Sequence, residues 1–350
     1  TGGYEYLNAR AKGLMGRLLS PPQLKELARL PEISAFLVAL TRSTPYRPVP
    51  SATASGASLA GAEDVEPALN ERLSAILGSL WREADPEPKR WLEPWLGRWD
   101  MDNIKKILRV LLAPGSAELA GRPPSPSVIL TGQELANLSA AGSVGALARR
   151  LSGRGGLWNA LAEALRRPEE TPRAIEERLD LSWAQYAAAR AAEKAQEAPV
   201  FAEFLASYID SRNILTALRL AKAGGSEPAP FLPGGRRLGK DRWEELATRS
   251  NLDHALALLE TTPFWEAVRE EAPPYEAEKA LGRIEHRLET MALERGGHIY
   301  RRSDPLGVSV LLRYAQLLAN EVRNLRQIAE GLWRRLPSGL IEERLILAQG

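Results

Sequence analysis

The polar residues best placed to do chemistry form one mark, written three times. Asp100 with Asn103, Asp210 with Asn213, and Glu321 with Asn324 each set a carboxylate three residues ahead of a carboxamide, and Ile104, Ile214 or Leu325 follows directly. On a helix, residues three apart share a face. Such a pair can accept backbone N–H groups or meet a partner's polar surface. Capping a helix start would suit Asp100 and Asp210. It suits Glu321 poorly, because apolar spacing through Leu306, Val310, Tyr314 and Leu317 places it inside a helix already running. The role common to all three is then a polar contact between helices or with a partner. Asp100, Asn103, Asp210, Asn213, Glu321, Arg323 and Asn324 are the candidate partner-binding residues.

The remaining motifs weigh against catalysis. The run from Gly234 to Asp241 nearly spells a phosphate loop, but Asp241 stands where a Ser or Thr hydroxyl would ligate magnesium. The three histidines, His254, His286 and His298, lack a second His at ligand spacing, and there is no cysteine. No nucleophile elbow and no His–carboxylate pair at useful spacing occurs. The expectation is a non-enzyme with no catalytic residue, no cofactor and no metal.

The elements that position the marks repeat with them. The steps between Asn103, Asn213 and Asn324 are 110 and 111 residues. Arg72-Leu73, Arg178-Leu179 and Arg287-Leu288 keep a similar step, as do Leu27, Leu138 and Leu246. Thr44-Pro45-Tyr46 returns as Thr262-Pro263-Phe264, with Gly156-Leu157-Trp158 in the middle copy. A fixed long period means copies of one folding unit, here 1–117, 118–229 and 230–350. Each copy is expected to run as a short helix pair, a turn, a helix with the Arg-Leu mark, and a helix with the acid–Asn mark. Abundant Ala, Leu, Arg and Glu and few β-branched alternations predict an all-α fold. Trp81, Trp91, Trp95, Trp99 and Trp158 are expected in the core, and 48–64 as a mobile loop.

Net charge is +2, which argues against a nucleic-acid partner. Arg pairs such as Arg149-Arg150, Arg301-Arg302 and Arg334-Arg335 suit either solvated helix ends or an anionic partner surface. No stretch approaches a membrane span and no signal peptide is visible. A cytoplasmic location is the expectation.

Three segments carry a family resemblance: residues 6–20, residues 210–225, and above all residues 304–347, with Asp304-Pro305-Leu306-Gly307 followed by Asn320 to Arg326. Together they resemble the C subunit of the V/A-type ATPase or ATP synthase, the counterpart of the d subunit in eukaryotes. The resemblance implies a three-lobed, funnel-like arrangement with pseudo-threefold symmetry. It implies a non-catalytic rotor component, present as one copy, between the D and F subunits of the central shaft and the membrane proteolipid ring. It would transmit torque for ion transport on the cytoplasmic side of the membrane. The competing reading is a helical-repeat scaffold for an unrelated protein.

Overall fold

A computed structural model describes residues 3–46, 65–113, 125–167, 171–224, 229–249, 252–269 and 277–347. The loop expected at 48–64 lies outside them. The described residues form helices and no β-strand, as the composition predicts. By compactness the chain divides in two: Thr1–Ala140 with Val310–Gly350, a split unit, and Ala141–Ser309, a continuous one.

The split unit holds α1 (Glu5–Met15), α2 (Pro21–Ala28), α3 (Ile33–Ser43), α4 (Val65–Glu83), α5 (Pro86–Leu112) and α6 (Gly132–Ser139). Nearly all of α15 (Ser309–Trp333) and all of α16 (Ser338–Glu342) complete it. Local chemistry sets the helix starts. Ser20 caps α2 in a capping box with Gln23, with Pro21 at the first helical position, and Thr131 caps α6 in a capping box with Glu134. Trp91 and Trp95 of α5 are buried, whereas Trp81 and Trp99 are half-buried. The Arg98 guanidinium covers the Trp95 ring at 4.0 Å and the Trp99 ring at 5.2 Å.

At its C-terminus α15 closes in a Schellman turn. Leu336 N–H donates to Gly331 O at 2.9 Å and Arg335 N–H to Leu332 O at 3.0 Å. Arg335 takes the left-handed position, φ 55°, that glycine usually fills.

The continuous unit holds α7 (Val144–Leu151), α8 (Gly156–Leu165), α9 (Pro172–Ala191), α10 (Ala198–Lys222), α11 (Lys240–Ala247), α12 (Leu252–Leu259), α13 (Trp265–Val268) and α14 (Ala277–Arg302). Leu218, Trp243, Leu246, Leu256, Phe264 and Leu288 share a buried cluster. Trp158 of α8 is buried as expected. No helix among the described residues is long and apolar enough to cross a membrane.

Candidate functional site

Each acid–Asn mark sits in the middle or later part of a long helix, not at its start. Asp100 and Asn103 lie on α5, Asp210 and Asn213 on α10, Glu321 and Asn324 on α15. Helix capping by Asp100 and Asp210 is therefore corrected: their own helices begin at Pro86 and Ala198. All six side chains are buried, from 0% exposed for Asp100 and Asn324 to 6% for Glu321.

The carboxamides clamp backbone. Asn103 accepts from Ser125 N–H at 2.8 Å and donates to Ser125 O at 3.0 Å. Asn213 does the same with Leu232, at 3.0 and 2.9 Å. Asn324 does it with Ile346, both at 2.9 Å. A side-chain amide carries a donor and an acceptor side by side, so it can copy one rung of a backbone ladder. Arg323 stands apart: it is half-buried and donates from Nη1 to Arg344 O at 3.3 Å.

The carboxylates hold the segment that follows. Asp100 accepts N–H from Ile129 at 2.8 Å, Val128 at 3.1 Å and Leu130 at 3.2 Å, and the Ser127 hydroxyl at 2.8 Å. Asp210 accepts N–H from Arg237 at 3.1 Å, Arg236 at 3.2 Å and Leu238 at 3.4 Å. Glu321 accepts from Leu19 N–H and, at 2.7 Å, from the Tyr46 hydroxyl. Leu130, Leu238 and Leu19 each directly precede the N-cap of a short helix: Thr131 for α6, Gly239 for α11, Ser20 for α2. The order of use is cyclic. The acid of the first mark secures the short helix after it, the second secures the next, and the third secures the first helix of that kind in the chain. In the third clasp, Ile346 and Leu19 come from opposite ends of the sequence and together supply what residues 125–130 and 232–238 supply alone.

The near-phosphate loop has a physical meaning here. Successive N–H groups of Arg236, Arg237 and Leu238 do form an anion-holding nest, and the anion is Asp210. Gly235 makes room for it. A Cβ there would fall inside contact distance of Asp210 Oδ1. Gly235→Ala is expected to destabilise by about 1–3 kcal/mol. Gly282→Ala, in helix with nothing near its Cβ, should stabilise by about 0.5–1 kcal/mol. Thermal melts of the two variants check the opposite signs.

Burial sets the protonation of the acids. It pushes Asp100 up to about 6, against the pull of its backbone and Ser127 donors. Asp210 is also raised by burial, opposed by the N–H groups of residues 236–238, and Glu321 by burial, opposed by Leu19 N–H and Tyr46. Tyr46 is raised by its own burial and by Glu321 beside it, so its proton stays on the phenol.

Six of the seven candidates thus gather in three clasps, two in the split unit and one in the continuous unit, and Arg323 stays outside them. Three functional parts are not among them. The Leu-then-cap mark at 19, 130 and 238 has nearly the same period as the asparagines and could be found by it. Tyr46 reads in the sequence only as part of a turn. Glu197 carries no signal, yet its buried carboxylate accepts Val308 N–H at 3.0 Å and so secures the turn from Asp304 to Gly307. A Cβ on Gly307 would lie 2.9 Å from that carboxylate.

Among the described residues the chain is all-helical and turns the acids and amides of its three marks inward, onto its own loops. It belongs to the ATP synthase (C/AC39) subunit family, whose pattern matches residues 7–344. It is 28% identical to the A-type ATP synthase C subunit of Desulfurococcus sp. (strain SY), over 98% of this chain and 89% of the relative. It is 26% identical to that of Methanocaldococcus jannaschii, over 98% and 86%. With that of Haloferax volcanii it shares 25% identity over 99% of both chains.

Proposed function

We propose that the chain is a non-catalytic rotor component of an A/V-type ATP synthase or ATPase. It would seat the D and F subunits of the shaft on the membrane proteolipid ring, as one copy on the cytoplasmic side, and carry torque between them. Three repeat units, 1–117, 118–229 and 230–350, would stand around the shaft axis with pseudo-threefold symmetry. The family supports the assignment, and the three clasps are the observation that carries the mechanism. A torque coupler must resist shear between its helices. Buried acids and amides that each fix a backbone segment at several points supply directional resistance that apolar packing alone lacks. The clasp residues then serve partners by holding the helices that meet them, with Arg323 the one placed to reach outward.

Native mass spectrometry of the chain purified from its host membranes in mild detergent tests the assignment. Co-isolation with a shaft pair and a multimeric ring is expected. Recovery without any other ATPase component would replace it with the scaffold reading. In the assembled complex, the triple change of Glu321, Arg323 and Asn324 to Ala is expected to lower ATP-driven ion transport more than ATP hydrolysis. Transport equal to the parent would remove these residues from coupling.

A further inference from the structure

The loop before α11 carries more positive charge than its clasp uses. The N–H groups of residues 236–238 are spent on Asp210. The two guanidinium groups of the same loop are not. Neither Arg236 nor Arg237 makes an ion pair among the described residues, and the Arg237 charge acts on Asp210 from a distance. Both residues line a cavity of about 70 Å³ between α10, this loop and α14, all within the continuous unit.

Two further donors stand in its wall, Ser207 of α10 and Arg295 of α14. The Ser207 hydroxyl makes no hydrogen bond among the described residues, whereas that of Ser211 is spent on Ser207 O at 3.0 Å. The acids of the cavity are already answered. Asp210 has its three N–H donors. Glu203 lies between two arginines, Arg302 in direct contact and Arg295 at 3.5 Å. That second separation is the outer limit of a hydrogen bond, so most of the Arg295 fork is left for another acceptor. Four arginines thus stand against two acids, and the excess charge faces one small space.

We propose that this cavity binds a phosphate group, with Arg236, Arg237 and Arg295 as charged donors and the Ser207 hydroxyl as a neutral one. Guanidinium forks match paired oxygens of a tetrahedral oxyanion. The volume is a little over twice the roughly 30 Å³ that a water molecule occupies. It admits one such group and neither a base nor a sugar. The cavity opens to solvent on one side, so the group is either free phosphate or the end of a monoester. Once bound, it ties α10 to α14 and to the loop that holds Asp210. The site lies within one unit and does not depend on the rotor reading.

Isothermal titration of the full chain with inorganic phosphate, at an ionic strength held constant with chloride, tests the site. A Kd of about 0.1–1 mM is expected. Methyl phosphate is the monoester arm: equal affinity assigns the group to an ester, and a preference of about tenfold for inorganic phosphate assigns it to the free ion. Either result keeps the site. Arg236→Gln and Arg295→Gln should each weaken binding about tenfold. Arg219→Gln, on α10 but paired with Glu285 away from the cavity, should leave it unchanged. Glu203→Gln removes an opposing charge and should tighten binding about threefold or more, a gain that damaged folding cannot produce. Absence of binding, an unchanged Kd in both Arg236→Gln and Arg295→Gln, or weaker binding in Glu203→Gln would overturn the site. An equal loss in Arg219→Gln would overturn it too, in favour of diffuse surface charge.

Discussion

Asp100→Ala is expected to destabilise the protein by about 3 kcal/mol or more. The carboxylate is the shared acceptor for three backbone N–H groups and the Ser127 hydroxyl, in a site with no exposed surface. Each donor left without an acceptor in the interior costs about 1–3 kcal/mol, reduced where water enters the space. Asp100→Asn fares little better, because one amide end would present N–H to the N–H of Val128 and Ile129. The pair also makes a pH test. Burial raises the folded-state pKa of Asp100 to about 6 from 3.8, so the folded protein holds this proton more tightly than the unfolded chain does. Its contribution is therefore fully present below the ordinary Asp range and is lost as pH rises through 6. Between pH 7 and pH 4, the stability gap between the parent and Asp100→Asn should widen as pH falls. Urea titrations across that range measure it. A gap that narrows would mean that the N–H donors, not burial, govern the carboxylate.

The second large effect is expected at Asn213, which is 1% exposed. Asn213→Asp keeps the size and the acceptor that Leu232 N–H needs. It replaces the donating N–H₂ with a carboxylate oxygen facing Leu232 O, the carbonyl now 2.9 Å away. Two acceptors then face each other in the interior, and the new charge is buried. The cost is about 3–5 kcal/mol, against about 1–3 kcal/mol for Asn213→Ala, which only leaves groups unpaired. The ordering decides between mechanisms. If Asn213→Ala were the worse of the two, lost volume rather than the two-way amide bond would be what Asn213 supplies. Loss of near-ultraviolet circular dichroism from Trp243, whose Nε1 donates to Asn213 O at 2.9 Å, gives a local readout in both variants.

The helices were legible because their information is local. Caps such as Ser20 and Thr131, apolar spacing, and the period of the acid–Asn mark all lie within a few residues of what they determine. The sharing of a face by Asp100 and Asn103 followed from spacing alone. What they hold did not, because Ser125 and Leu130 lie beyond a loop whose path the sequence does not fix. The capping expectation for Asp100 and Asp210 failed for a related reason. A cap bonds within about three residues, whereas the partners of these two acids lie 26 to 30 positions away. Glu197 was invisible because an acid at a helix start is ordinary, and only its neighbour across the fold, Val308, gives it a task.

The third clasp also sets an order of assembly during synthesis. The first two close over 28 to 30 residues, from Asp210 to Leu238 and from Asp100 to Leu130. The third closes over the 302 residues from Leu19 to Glu321, at an added chain-entropy cost of about 2 kcal/mol. As the chain leaves the ribosome, the continuous unit has all its parts by residue 309, whereas α1 to α6 must wait for α15. For most of translation the N-terminal helices expose an apolar face whose cover has not been made. The nascent chain is then most open to misassembly and chaperone capture in its first third, and the emergence of α15 is the step that ends that exposure.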